Sequence, residues 1–344
     1  MKIEKVCILG GTGFVGHALV SELAARGIQV RVLARRREHA KPLILLPTVE
    51  VVEGDIHDER VLVRAFEGCD AVINLVGILH ESIMGRVDSP EHRRGDFHQC
   101  HIELPRKVIG ACAQAGIDRL LHMSALGADP TSRSAYQRSK GIGEAIVREA
   151  GMVPTYEPGT LYGAKFTARR GLHVTIFRPS VIFGPADSFL NLFARLLKFL
   201  PAIPLACPQA QFQPVYVRDV ARAFVESIDN PGAFGQTYDL CGPKRYTLIE
   251  LMQILVHVLG IRRKIIPLTD RFSYWNAWLL EWKPGRKIMT RDNYYAMQIP
   301  NVCTGAHPLP PDWHPADLEA TAPGWLQGIS QRSGYQRYRN RAHR

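Results

Sequence analysis

Short aliphatic runs alternate with amphipathic stretches through the first 125 residues. Lys5–Leu9, Gln29–Ala34, Val49–Glu53, Ala71–Val76 and Arg119–Met123 are dominated by Val, Ile and Leu, which predicts strands covered on both faces. Gly16–Arg26, Asp58–Phe66 and Glu103–Ala115 carry apolar residues at helical spacing and predict the connecting helices. His173–Phe177 reads as a further strand. This alternation predicts an α/β fold with a Rossmann-type, doubly wound parallel sheet. From about Phe189 the rhythm changes to longer helical stretches and more prolines, and the tryptophans fall beyond residue 270. The chain therefore divides into a Rossmann domain over 1–188, a smaller C-terminal α/β or mostly helical lobe over 189–328, and a tail over 329–344. Strands of the lobe are allowed to return to the sheet.

The first strand runs into Gly10-Gly11-Thr12-Gly13-Phe14-Val15-Gly16, which opens the first helix. Gly10, Gly13 and Gly16 at this spacing let the backbone turn tightly and approach a pyrophosphate, with the helix N-terminus facing the anion. The second strand ends in Arg35-Arg36-Arg37, with no acid before Glu38. An acid there would bind the ribose 2′-hydroxyl of NAD, whereas a guanidinium binds the 2′-phosphate of NADP. The expected cofactor is NADP(H), with NAD(H) as the alternative.

Tyr136 and Lys140 are four residues apart, on one helical face. An ammonium beside a phenol lowers the phenol's pKa toward neutrality and can hold ribose hydroxyls, which predicts Tyr136 as general acid/base. Ser124, just past the strand Arg119–Met123, would orient a substrate oxygen.

These residues together resemble the short-chain dehydrogenase/reductase superfamily over nearly the whole chain. Gly54-Asp55-Ile56 looks like its adenine-contact motif, and Asn74-Leu75-Val76-Gly77 like its fourth-strand segment beside the cofactor. The run Arg178 to Pro185, with Pro179 and Val181, and the run Gln213 to Ala221 resemble signatures of the extended and atypical branches. His122 to Ala128, together with Phe177 to Pro185, looks like the branch containing the NAD(P)H-binding accessory subunit of respiratory complex I and its bacterial epimerase/dehydratase-like relatives. The resemblance implies that Ser124, Tyr136 and Lys140 are catalytic. It implies that Asp55, Ile56, Val76, Gly77, Pro179 and Val181 join the glycine loop, Tyr136 and Lys140 in holding the cofactor. The function implied is an NADP(H)-dependent oxidoreductase or epimerase acting by hydride transfer on a carbonyl or alcohol. The alternative is a non-catalytic accessory or assembly factor for a respiratory membrane complex. Gly151–Gly171 departs from the pattern as an excursion of roughly twenty residues, the length of a flap or contact surface.

Charge changes this picture little. Lys and Arg number 43 against 32 Asp and Glu, a net +11, and Arg332, Arg337, Arg339, Arg341 and Arg344 supply five of those charges from the tail. The remainder is a mild excess, so nucleic acid is not an expected partner. The seven cysteines are odd in number and scattered, which predicts a reducing compartment and no disulfide. His98, Cys100 and His101 lack a fourth ligand at a sensible spacing, so helix packing is expected there and no metal. No stretch reads as a membrane span, which places the protein in the cytoplasm or peripheral to the inner face of a membrane. Trp275, Trp278 and Trp282 recur at i, i+3 and i+7 beside Arg271 and Lys283. The ordinary reading is the core of the second lobe; the other is an interface with a membrane or a larger complex. Asp219 and Thr247 read as helix N-caps.

Overall fold

In the computed structural model, residues 2–79, 96–152, 171–282 and 288–327 are described. The excursion, apart from its first two and last residues, the basic tail and Lys283 lie outside them.

The first strand, β1 (Lys5–Leu9), feeds helix α1 (Phe14–Ala25) through the glycine loop. There follow β2 (Gln29–Ala34), β3 (Val49–Glu53), α2 (Glu59–Phe66) and β4 (Ala71–Asn74). Next come α3 (Leu104–Ala115), β5 (Arg119–Met123), α4 (Ala135–Met152) and β6 (His173–Pro179), and finally α5 (Val217–Ser227) and β7 (Thr237–Leu240). The strands form one parallel sheet in the order β7-β6-β5-β4-β1-β2-β3. The strand order therefore reverses between β1 and β4, the crevice where α/β sheets hold ligands.

Alternation along the strands explains the burial. Cys7 and Leu9 of β1, Val72 of β4, Leu120 of β5 and Val174 of β6 pack with Leu62 and Phe66 of α2, Val108 of α3 and Val147 of α4. Residues of the opposite parity, Ile8, Ile73, Leu121 and Phe177, are buried as well, so both faces are covered. Phe177 stacks on Phe224 of α5 at 4.1 Å between ring centroids.

Arg119 is fully buried at the start of β5. Its guanidinium donates to the carbonyls of Ser227, Ile228 and His173 and to Thr175 Oγ1, at 2.6–2.9 Å. It thereby ties the end of α5 to the sheet.

The chain folds as two units. The first comprises Met1–Pro179, Val220–Leu240 and Gly305–Pro311; the second comprises Ser180–Asp219, Cys241–Thr304 and Asp312–Arg344. β7, which lies in the stretch read as the lobe, belongs to the sheet of the first unit. The second unit packs the helix Leu190–Phe199 against the helix Leu248–Leu259, through Leu190, Ala194, Leu197, Leu251 and Leu255. Thr247 caps the latter helix in a reciprocal pair with Glu250.

Three expectations are corrected here. Cys241 and Cys303 form a disulfide, with Cα atoms 6.1 Å apart. They are 62 residues apart in sequence, so spacing gave no sign of the pair. Asp219 is no N-cap, because α5 begins at Val217; its carboxylate instead accepts the Ala316 N–H at 2.7 Å. The tryptophans of the helix Asp270–Glu281 and its C-cap are not core: Trp275, Trp278 and Trp282 are exposed, and the helix packs through Ser273 and Ala277.

Candidate functional site

The site is built where the loops after β1 and β4 meet. Leu75 N–H donates to the Leu9 carbonyl at 3.0 Å, and Gly10 adopts a left-handed φ of +79°. A Cβ on Gly10 would press on the Leu75 carbonyl carbon and the Val76 nitrogen at 3.2 Å. A Cβ on Gly16 would collide with the Gly10 and Gly11 carbonyl groups. Gly13 is the N-cap of α1 and has no side chain to satisfy the helix N–H groups, leaving them to face an anion. Thr12, Phe14 and Val15 complete this turn. The glycine cradle fits a dinucleotide pyrophosphate.

β4 is shorter than its apolar run predicts. Asn74 Oδ1 accepts the Val76 N–H at 3.1 Å, and this turn takes Leu75 and Val76 out of the strand. Gly77 then lies against Lys140, whose Nζ would stand 3.0 Å from a Cβ at that position. At the other edge, Arg35 and Arg36 are exposed at the end of β2. Asp55 folds back to accept the His57 N–H at 2.9 Å, while Ile56 packs on the core beneath. Cys100 feels both the Arg35 guanidinium and the Lys140 ammonium, although burial raises its thiol overall.

Lys140 is buried and donates to the Met123 carbonyl at 3.1 Å. Burial lowers its pKa to about 8, with Cys100 and Glu144 opposing. Tyr136, one turn earlier, meets Phe97 and His101 edge-on at 6.0 and 5.7 Å between centroids. Its phenol is pushed up to about 12 by burial, in the direction opposite to the lowering expected from a neighbouring ammonium. A phenol so shifted stays protonated at neutral pH and is poised to donate rather than to accept.

His101 packs beside Tyr136. It sits in a π-helical turn over Gln99–Glu103, where Leu104 N–H reaches the Gln99 carbonyl, five residues back. Its Nε2 accepts the Ile78 N–H at 3.1 Å, so Nδ1 carries the proton and donates to Ser139 Oγ at 2.8 Å. Ser139 in turn donates to the Tyr136 carbonyl at 2.9 Å. Burial, helped by Lys140, lowers the imidazole pKa to about 2. The close approach depends on Gly143 of α4, since a Cβ there would run into the His101 carbonyl.

Ser124 presents a different geometry from the one expected. Its hydroxyl donates to Glu144 Oε2 at 2.6 Å. A carboxylate only accepts, so in this arrangement Ser124 turns its lone pairs, not its hydrogen, toward any other partner. Glu144 is itself buried between Arg148 and Arg178, the latter at 3.3 Å. Sequence reading missed Glu144, although it lies one further turn along the face that carries Tyr136 and Lys140.

Pro179 closes β6, and its carbonyl accepts the Leu126 N–H at 3.0 Å. Val181 belongs to the second unit, where its N–H donates to Asn301 Oδ1 at 3.0 Å.

A seven-stranded parallel sheet in this order, with a glycine loop at the reversal point, defines a Rossmann-type α/β protein. The chain belongs to the NAD dependent epimerase/dehydratase family, whose model matches residues 6–241. It is 31% identical to the rat (Rattus norvegicus) protein NADH dehydrogenase (ubiquinone) 1 alpha subcomplex subunit 9, mitochondrial, over 86% of this chain and 72% of that protein. It is also 31% identical to a ceramide reductase of Caulobacter vibrioides, over 77% of this chain and 74% of that protein. Among solved structures, that of gox2253 is similar in fold, with a TM-score of 0.68, 19% identity, and coverage of 94% of this chain and 98% of that one.

Proposed function

We propose that the protein is an NADP(H)-dependent oxidoreductase acting on a carbonyl or secondary alcohol. The observation that carries the reading is the placement of Lys140 between the Gly77 loop and the Met123 carbonyl, with Tyr136 one turn away on the same helix. Gly10, Gly13 and Gly16 would hold the pyrophosphate, and Arg35 and Arg36 the 2′-phosphate. Asp55, Ile56, Val76, Gly77 and Pro179 are the remaining cofactor contacts of the first unit in this reading. When bound, the nicotinamide supplies or takes the hydride. Lys140 would hold the ribose, and Tyr136 would deliver the proton to the reacting oxygen. Ser124 positions the substrate from the end of β5, with Glu144 fixing the direction of its hydroxyl.

The test is NADPH oxidation across a panel of long-chain ketones, ceramide precursors, sterol ketones, quinones and nucleotide sugars. One relative is named for ceramide, which puts lipid ketones first. Oxidation with one class, abolished in Tyr136→Phe, is the expected result. A second reading, an accessory or assembly protein of a respiratory membrane complex that keeps NADPH as a structural ligand, draws on the likeness to the complex I subunit and on the hydrogen bond that occupies Ser124. NADPH that stays bound and unreacted across the whole panel would favour it.

A further inference from the structure

The helix Asp270–Glu281, with its C-cap Trp282, is inverted relative to an ordinary surface helix. Trp275, Trp278 and Trp282 are 61%, 37% and 72% exposed, Phe272 is 65% exposed and Leu279 is 63% exposed. Phe272, Trp275, Leu279 and Trp282 fall at i, i+3, i+7 and i+10, so they form one stripe. The indoles are in edge contact along it, Trp275 with Trp278 at 5.7 Å and Trp278 with Trp282 at 5.9 Å. Ser273 and Ala277 are fully buried, and Tyr274 packs edge-on against Tyr294 at 5.4 Å. The small side anchors the helix to its unit and the large apolar side meets solvent. A contiguous aromatic patch of this kind marks an interaction surface.

The charges identify what it meets. Both carboxylates of the helix are engaged by the neighbouring helix Arg291–Met297 and its flank. Asp270 accepts from the Tyr294 hydroxyl at 2.9 Å, and Glu281 accepts from the Arg291 backbone N–H and Nε at 2.5 and 2.8 Å. Arg271 is exposed beside Phe272. In the strand Lys264–Pro267, three residues before the helix, Lys264 and Ile266 are exposed on alternate positions, hence on one strand face. Phe272, Trp275, Leu279 and Trp282 remain outward, with Arg271 exposed on the helix, Lys264 exposed on the preceding strand, and the Asp270 carboxylate held by Tyr294. Tryptophan and basic side chains settle together at the headgroup level of a bilayer, and anionic lipid attracts the cations. No helix among the described residues is long and apolar enough to cross a membrane, so insertion would be in the plane of the interface.

We propose that the helix Asp270–Glu281 is an in-plane docking element that seats Phe272, Trp275, Leu279 and Trp282 in the headgroup region of an anionic bilayer, with Arg271 and Lys264 toward lipid phosphates. The proposal is independent of turnover in the first unit. It is tested by co-sedimentation of the full chain with vesicles of phosphatidylglycerol and phosphatidylcholine, against vesicles of phosphatidylcholine alone. The expected result is about tenfold tighter binding to the anionic vesicles, weakened by salt, and a drop of about tenfold or more in the doubly substituted Trp275→Ser, Trp282→Ser protein. Both positions are exposed, so the variant should keep its fold; unchanged NADPH affinity and circular dichroism verify this. Arg271→Glu should give a smaller loss confined to anionic vesicles. Absence of binding to anionic vesicles, or equal binding by the double variant, overturns the proposal. So does light scattering that shows a dimer broken by the double variant and untouched by vesicles, which would make a second copy the occupant. Vesicle binding without NADPH binding would strike the cofactor reading and leave this one standing.

Discussion

The two units break the rule of burial in opposite directions. In the first, Arg119, Glu144, Lys140, His101 and His122 are all buried: Arg119 and Lys140 donate to carbonyls, His101 accepts a loop N–H, Glu144 accepts the Ser124 hydroxyl, and His122 lies 3.4 Å from the Asn74 side-chain amide. In the second, the helix Asp270–Glu281 hides a serine and an alanine and exposes its tryptophans. Burying an ionisable group costs free energy unless partners compensate, and exposing large aromatics forgoes burial that would otherwise stabilise the fold. Both departures concentrate where chemistry or recognition is proposed, one as a fixed polar constellation and the other as an unfilled apolar surface. Arg119 is the informative exception, since its burial serves the fold alone.

That distinction can be broken by substitution. Arg119→Met should cost about 1–3 kcal/mol for each buried carbonyl it leaves without a donor, those of His173, Ser227 and Ile228. Urea unfolding measures it, and the folded fraction should bind NADPH as before. Tyr136→Phe should do the reverse, leaving stability within about 0.5 kcal/mol while turnover falls about 1,000-fold. An NADPH-oxidising activity that survives in this variant would remove Tyr136 from the proton path.

The buried histidines give the next largest effect, through pH. Unfolded, both take up protons near pH 6.5; folded, His101 refuses them until about 2 and His122 until about 3, chiefly because of burial. The unfolded chain therefore binds more protons below pH 6.5, and stability present above that pH is lost as pH falls. The loss is about 2 kcal/mol per histidine at pH 5. Urea midpoints at pH 7 and pH 5 check it, and equal midpoints would contradict the neutral His101–Ser139 arrangement. Lys140 acts at the other end: its folded pKa of about 8 lies below the usual 10.5, so its buried charge is a cost that is relieved as pH rises from 8. The smallest expected effect is that of Glu144→Gln, about a tenfold fall in kcat with KM and NADPH affinity held. Combined with Ser124→Ala it should add almost nothing, because the two residues act as one unit.

Much of the sheet was legible because its signal is local. β1, β2, β3 and β5 cover the residues their aliphatic runs predict, and the glycine triplet lies at the sheet's reversal point. Boundaries slipped where one side chain or turn decides them: Asn74 ends β4 early by capturing the Val76 N–H, and Gly13 starts α1 two residues sooner. Glu144 was invisible because its partners, Ser124 and Arg178, are brought to it only by the packing of β5, α4 and β6. The disulfide was hidden for the same reason. The tryptophan periodicity predicts that a helix has an apolar face, but periodicity does not say whether that face turns inward. In the helix Asp270–Glu281 the buried side is set by Ser273 and Ala277, whose smallness permits close packing and carries little signal of its own.

The central claim, a cofactor site at the reversal point that selects NADP(H), is tested most directly by calorimetric titration of NADPH and NADH into the protein and into its Arg35→Ala, Arg36→Ala double variant. The account predicts that the unaltered protein binds NADPH at least about tenfold more tightly than NADH, from charge-assisted contacts to the 2′-phosphate, and that the double variant binds the two alike. Equal affinities in the unaltered protein, or a preference for NADH, would contradict it.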